Sequence, residues 1–244
     1  MDTDRSGALR TVRDLPPEPP AGVRRRARRP AETSGARVSP TGKVLYVIVC
    51  AAGPAAGVGR LVTMAQEEGW AVQIVATPQA LDFVDAGALE AQTGRPVRSR
   101  YRKPGEPKPP RPDAVIVAPA TYNTINKSAQ GIADTYALGL LSEATGLGIP
   151  VVVLPCLNSA LAARLPFRHS VERLRAEGVR VLLGPGEFEP HGPDSGDDRT
   201  DTYPWGLALA ELNRLARPSG RGAPSPEPES ASAGQGAVRG SGRS

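Results

Sequence analysis

Residues 114–134 run Ala114-Val115-Ile116-Val117-Ala118-Pro119-Ala120-Thr121-Tyr122-Asn123-Thr124-Ile125-Asn126-Lys127-Ser128-Ala129-Gln130-Gly131-Ile132-Ala133-Asp134. The first five are continuously apolar, as a strand buried on both faces should be. A proline and a cluster of small polar residues follow, and behind them the pattern turns helical. A strand that leads through such a turn into a helix builds a crevice at the carboxyl edge of an open parallel sheet, where α/β proteins hold ligands.

The same alternation extends outward in both directions. Residues 43–50 form an apolar run rich in β-branched side chains, followed at once by the small-residue stretch 51–59. Val58, Leu61, Val62 and Ala65 then recur at helical spacing as far as Glu68, and Gly69 is a natural stop. Residues 71–76 predict a second strand, and Thr77-Pro78 opens a helix with Thr77 at the cap and Pro78 at its first position. Residues 94–112 are mostly Arg, Lys, Pro and Gly and predict a mobile loop. Further strands are expected at 150–154 and 179–183, with helical stretches over 121–147 and 158–177. A last helix at about 205–216 follows an acidic, Gly/Pro-rich loop. Strands alternating with helices imply a parallel sheet covered on both faces. The predicted fold is α/β, a three-layer Rossmann-like or flavodoxin-like sandwich.

The 244 residues suffice for one such domain plus tails. Apolar residues make up 39% with only 4% aromatic, beside 27 Gly and 26 Pro, so part of the chain is expected to be disordered. That composition collects at 1–40, where nine Arg face five acidic residues, and at 218–244, almost wholly Pro, Gly, Ser, Ala, Arg and Glu. The two tails account for the whole formal charge of +5, leaving a neutral domain at 41–217. A neutral domain behind an Arg cluster at 24–29 with no interleaved aromatics argues against a nucleic-acid partner and for a solvated tail. No apolar run approaches the length of a membrane span, and the chain is expected to be cytoplasmic. Two cysteines, Cys50 and Cys156, each end a strand. Their number and spacing fit neither a disulfide framework nor a metal site. They are expected as buried free thiols, with Cys156 also a candidate for lining a pocket.

The run from Pro119 through Asn123-Thr124 and on to Gly131-Ile132-Ala133-Asp134 resembles the Pro-Ala-Ser-Ala-Asn-Thr signature of the flavin-containing cysteine decarboxylase superfamily. That superfamily includes phosphopantothenoylcysteine decarboxylases, peptide-cysteine decarboxylases and flavin prenyltransferases. The resemblance implies FMN as cofactor, a small-molecule or peptide substrate, and a homo-oligomer built from trimers. It further implies that Asn123 orients a substrate carboxylate while Pro119, Ala120, Thr121 and Thr124 line the flavin. In the implied chemistry the cofactor takes a hydride from the carbon next to sulfur of a cysteine-type thiol, and CO2 is lost.

Other positions fit the same frame. Gly53 and Gly57 allow close backbone approach after the first strand, and the helix behind them directs unpaired amides at an anion such as the FMN phosphate; a tight turn is the plain alternative. Thr77, Ala80 and Phe83 match the family's Thr-x-x-Ala-x-x-Phe motif beside the cofactor, with Thr77 equally a helix cap. Pro155-Cys156-Leu157-Asn158 resembles the family's Pro-x-Met-Asn substrate motif, with Leu157 in place of Met, and Asn158 either binds substrate or caps the next helix. Lys127, one turn beyond Asn123, has an electrostatic role or is a solvated charge, and Asp134 ties down a helix end or a subunit contact.

Two departures stand out. Thiol-oxidising members carry a His before the strand that leads into the main motif, and residues 98–112 contain none. The reprotonating flap cysteine is absent as well, since no Cys follows Cys156. Of the two His, His169 is expected on the surface, and His191 becomes a catalytic candidate if the loop 184–198 closes as a lid. The alternative is a non-catalytic FMN-binding regulatory or partner protein. A minor alternative is an NAD(P)-dependent oxidoreductase, because Gly53, Gly57 and Gly59 resemble the short-chain dehydrogenase pattern; the Tyr122–Lys127 spacing of five rather than four counts against it.

Overall fold

A computed structural model describes residues 42–193 and 202–216. The tails expected at 1–40 and 218–244, and the far part of the 184–198 loop, lie outside the described residues.

The apolar runs form strands β1 (Val44–Val49), β2 (Ala71–Ala76), β3 (Ala114–Ala120), β4 (Val151–Pro155) and β5 (Arg180–Val181). They make one parallel sheet in the order β2-β1-β3-β4-β5. Val47 of β1 sits opposite Ile74 on one side and Ile116 on the other. From β1 the chain steps outward to β2, then crosses back over β1 and continues in the other direction through β3. The connections leaving β1 and β3 therefore diverge, which opens a crevice at the carboxyl ends of these two neighbours.

The helices are α1 (Gly59–Glu67), α2 (Ala86–Thr93), α3 (Tyr122–Ala129), α4 (Tyr136–Gly146), a single-turn α5 (Ser159–Ala162), α6 (Leu165–Ala176) and α7 (Trp205–Ala216). Side chains alternate across the strands and divide the core in two. Leu45, Val47 and Val49 pack with Leu61 of α1 and Leu209 of α7. Tyr46 and Ile48 pack with Ile125 of α3, Leu141 of α4 and Phe167 of α6. Each fully buried Leu, Ile or Phe contributes roughly 1.5–3 kcal/mol.

The α/β sandwich and parallel sheet expected from the sequence are what the structure shows. Several boundaries differ. The stretch 121–147 is two helices: Gly131, at φ 71°, turns the chain after α3, and Thr135 starts α4 by accepting from Leu138 N at 3.3 Å. The stretch 158–177 also divides, because Pro166 suits only the opening of a helix. Pro78 opens a short 3-10 helix, Pro78–Asp82, with Thr77 at its N-cap position as expected; the Thr77 side chain makes no capping bond, and the α-helix α2 begins later behind Asp85, whose Oδ1 accepts from Ala88 N at 2.9 Å.

Residues 94–112 are anchored rather than a free loop. Arg98 exchanges backbone hydrogen bonds with β2, donating to Ile74 O (3.1 Å) and accepting from Ala76 N (2.8 Å). Gln73 Nε2 donates to Pro96 O at 2.8 Å, and Tyr46 OH donates to Pro110 O at 2.7 Å. The ring of Tyr101 meets Tyr136 edge-on at 5.2 Å. Arg98 is thus a one-residue sixth strand on the outer edge of β2.

Candidate functional site

The strand ends are stitched together by backbone bonds that continue past the strands. Thr77 N donates to Val49 O (2.9 Å), Cys50 N to Pro119 O (3.2 Å) and Cys156 N to Ala120 O (2.8 Å). The register of β3 against β4 shifts between Val117 and Ala120, where Pro119 has no N–H to give to the ladder. The ends of β2, β1, β3 and β4 thereby form one continuous shelf. Ser159 N donates to His191 O at 2.7 Å and Asn158 pairs with His191, which extends the shelf into the segment after β5.

At the centre stand two threonines. Thr121 begins α3 with its Oγ1 accepting from Thr124 N at 3.4 Å, and the two hydroxyl oxygens lie 3.1 Å apart. Cys50 Sγ donates to Thr124 Oγ1 at 3.3 Å from a fully buried position. Burial pushes the Cys50 thiol up, and the bond with Thr124 offsets part of that. Burial alone pushes Cys156 up to about 11. Both are therefore neutral thiols near pH 7, poor nucleophiles and poor metal ligands. Beneath them Tyr203 OH donates to Leu154 O at 2.7 Å and lies 3.1 Å from Pro155 O.

Around this centre the remaining candidates fall at the same edge. Gly53 is exposed in the 3-10 turn Gly53–Gly57 that follows β1. Phe83 closes the turn after β2 with 45% of its surface exposed. Asn123 is exposed on the first turn of α3. Asn158 ends the β4 connection, and its Oδ1 accepts from Leu161 N at 2.9 Å as the cap of α5. His191 Nδ1 lies 2.7 Å from Gly192 O; a carbonyl can only accept, so Nδ1 is the donor in this bond and Nε2 takes no part in it. Lys127 is drawn into an ion pair with Asp134, which ties α3 to the segment before α4. His169 is exposed on α6.

The first turns of α1 and α3 contain no acidic residue, so the positive ends of both helices are uncompensated at this edge. One buried donor there was not legible in the sequence. Trp205 is only 4% exposed, and its Nε1 has no hydrogen-bond partner. That nitrogen is the ring atom nearest to where a side chain on Gly57 would begin, 3.6 Å away. Glycine backbone, hydroxyls, an orphaned N–H and uncompensated helix ends suit a phosphorylated, aromatic ligand such as FMN. Among the described residues no group of three or more His, Cys, Asp or Glu could hold a metal ion, and no helix is long and apolar enough to cross a membrane.

A sequence model of the family described as Flavoprotein matches residues 36–202. The coenzyme A biosynthesis bifunctional protein CoaBC of Mycolicibacterium smegmatis is 30% identical over 155 residues, 60% of this chain and 36% of that protein. A dihydromethanopterin reductase (acceptor) of Methanosarcina mazei is 30% identical over 108 residues, 44% of this chain and 39% of that protein. The chain thus spans little more than a third of the length of these curated relatives. Among solved structures, the FMN-dependent cysteine decarboxylase TvaF from thioviridamide biosynthesis superposes with a TM-score of 0.54 at 24% identity, covering 70% of this chain and 98% of that one. The FMN-dependent cysteine decarboxylase SpaF gives 0.52 at 22%, covering 73% and 98%. At these identities the superpositions speak for the fold.

Proposed function

The chain belongs to the flavoprotein family, and on that footing we propose that it binds FMN along the carboxyl edge of β1 and β3 and acts in decarboxylation or oxidation of a small or peptidyl cysteine-type thiol. The observation that carries this reading is the stitched shelf at the four strand ends, with Thr121 and Thr124 at its centre. Gly53, Gly57 and the amino end of α1 would hold the phosphate. Thr77, Phe83, Pro119, Ala120, Thr121 and Thr124 would line the ring. Bound FMN supplies the two-electron acceptor that no side chain of this protein can provide.

The protein's own residues position substrate and move protons. The Asn123 amide, exposed at the start of α3, both donates and accepts and so suits a substrate carboxylate. Asn158 is fixed by its capping bond and sits beside His191. With Nδ1 engaged at Gly192 O, the His191 Nε2 lone pair is the base that takes the thiol proton, in place of the histidine missing from 98–112. The assembly implied by the resemblance, a trimer or a multiple of trimers, belongs to the same proposal.

The test is direct. The purified protein should show the two visible bands of oxidised flavin and release FMN on denaturation. Supplied with cysteine-terminated peptides or small cysteine-derived thiols, it should release CO2, and His191→Gln should cost ~100-fold to 10,000-fold in rate with flavin retained. Asn123→Asp should abolish turnover and also keep the flavin. A yellow protein inert toward every such thiol would support the non-catalytic alternative. A colourless protein that takes up no added FMN would overturn the reading.

A further inference from the structure

Resting on the flavin reading above, we propose that the indole Nε1–H of Trp205 is a hydrogen-bond donor to the phosphate of the bound mononucleotide, reached through the space that Gly57 leaves open. Buried tryptophan N–H groups usually find a partner, and leaving one unmade is costly. Here Nε1 is buried and unpartnered in a residue 4% exposed.

The ring is turned with its N–H edge toward Gly57. From the point where a Cβ at 57 would stand, Nε1 is 3.6 Å away, Cζ2 3.8 Å and Cε2 4.0 Å. The backbone of Gly57 is not in the left-handed region, so conformation does not demand glycine there. What glycine supplies is room in front of the indole nitrogen, at the last residue of the turn before α1. An acceptor in that room also faces the amino end of α1, whose first turn holds no acid.

The position of the indole is set independently of any ligand. Trp205 packs edge-on against Tyr203 at 4.7 Å, and Tyr203 is held to the end of β4 through its hydroxyl. Behind the ring, Gly206 lies close under Met64 of α1, where an added Cβ would come within 3.0 Å of the methionine methyl. At its far end α7 is tied by the hydrogen bond from Asn213 to Glu68, the residue that closes α1. The donor is therefore preorganised, which favours a tight contact to a fixed anion.

Two variants separate the donor from the packing. Trp205→Phe keeps a large ring and removes the N–H. Gly57→Ala keeps the indole and places a methyl group at ordinary contact distance, in the acceptor's place. Titrating the full chain, stripped of flavin, with FMN and with riboflavin reads out the phosphate contact without any turnover. We expect wild type to prefer FMN, and both variants to lose about tenfold or more in FMN affinity, as for a bond to a charged group, with riboflavin affinity unchanged. Trp70→Phe, on the other tryptophan of the chain, should change neither. FMN affinity unaltered in Trp205→Phe would overturn the proposal. So would equal losses for FMN and riboflavin, which would assign Trp205 to packing alone. If Trp205→Phe does not fold, the Gly57→Ala titration decides. Wild type binding neither ligand would instead sink the flavin reading itself.

Discussion

Thr124 has two hydroxyl contacts, one with Thr121 and one with the buried thiol of Cys50. Thr124→Val keeps the shape and removes both, leaving the S–H without its acceptor. The expected cost is about 1–2 kcal/mol, measurable as a lower denaturant midpoint with unchanged slope. The thiols make a second check: burial raises both, so native protein at neutral pH should resist iodoacetamide at Cys50 and react only slowly at Cys156. Cys156 should speed up as pH climbs toward about 11. Rapid labelling of Cys50 at neutral pH would contradict its placement under Thr124. Some of this was legible in the sequence: a threonine three residues before another, behind a strand, reads as a helix start. The Cys50 partnership was not, because 74 positions separate the two and only the pairing of β1 with β3 brings them together. Trp205 was hidden for the same reason, since its neighbour Gly57 is met only through the packing of α7 on α1.

At the scale of elements, α7 is clasped to the last strand by charge. Glu211 accepts from Arg180 Nε of β5 at 2.6 Å and from Arg214 Nη2 at 2.8 Å, and Arg180 also pairs with Glu187. The bonds from Arg214, opposed by burial and aided by Arg180, hold the Glu211 carboxyl down to about 2. A carboxyl lowered in the folded state adds stability above its unfolded value, near 4.5, and that stability fades as pH falls toward 2. Glu211→Gln should therefore lower Tm at pH 7, by an amount equivalent to about 1–2 kcal/mol once screening of the exposed Arg214 is allowed for. The gap from wild type should close near pH 2, and a gap independent of pH would argue against the ion pairs. Element boundaries were read less well than elements. Pro166 and Gly131 both carried a break signal, yet each lay inside a long apolar-periodic stretch whose pattern resumed in register. The remnant strand at Arg98 gave no signal, because a single bridging residue has no periodicity.

At the scale of the molecule, alternating apolar strands and amphipathic helices were enough to specify a parallel α/β sandwich, while strand order needed the structure. All candidate residues hang from one edge of the sheet, so the segment 41–217 should suffice for the flavin site proposed above. A chain cut to those residues is expected to bind FMN within a factor of about two of the full chain, and loss of binding would place part of the site in the tails. Light scattering of the same sample should give three copies or a multiple of three. The division of the core by the sheet has a further consequence. Leu209 and Ile125 belong to opposite halves, which share no fully buried side chain among the described residues, although the half-buried Leu183 packs against both. Leu209→Ala should cost about 3 kcal/mol and Ile125→Val about 1 kcal/mol, and the double variant should show their sum to within about 0.5 kcal/mol. Away from Leu183, each half can then accumulate core substitutions with little cost to the other, so the side that carries α3 and Asn123 can be repacked while the opposite side keeps the molecule folded.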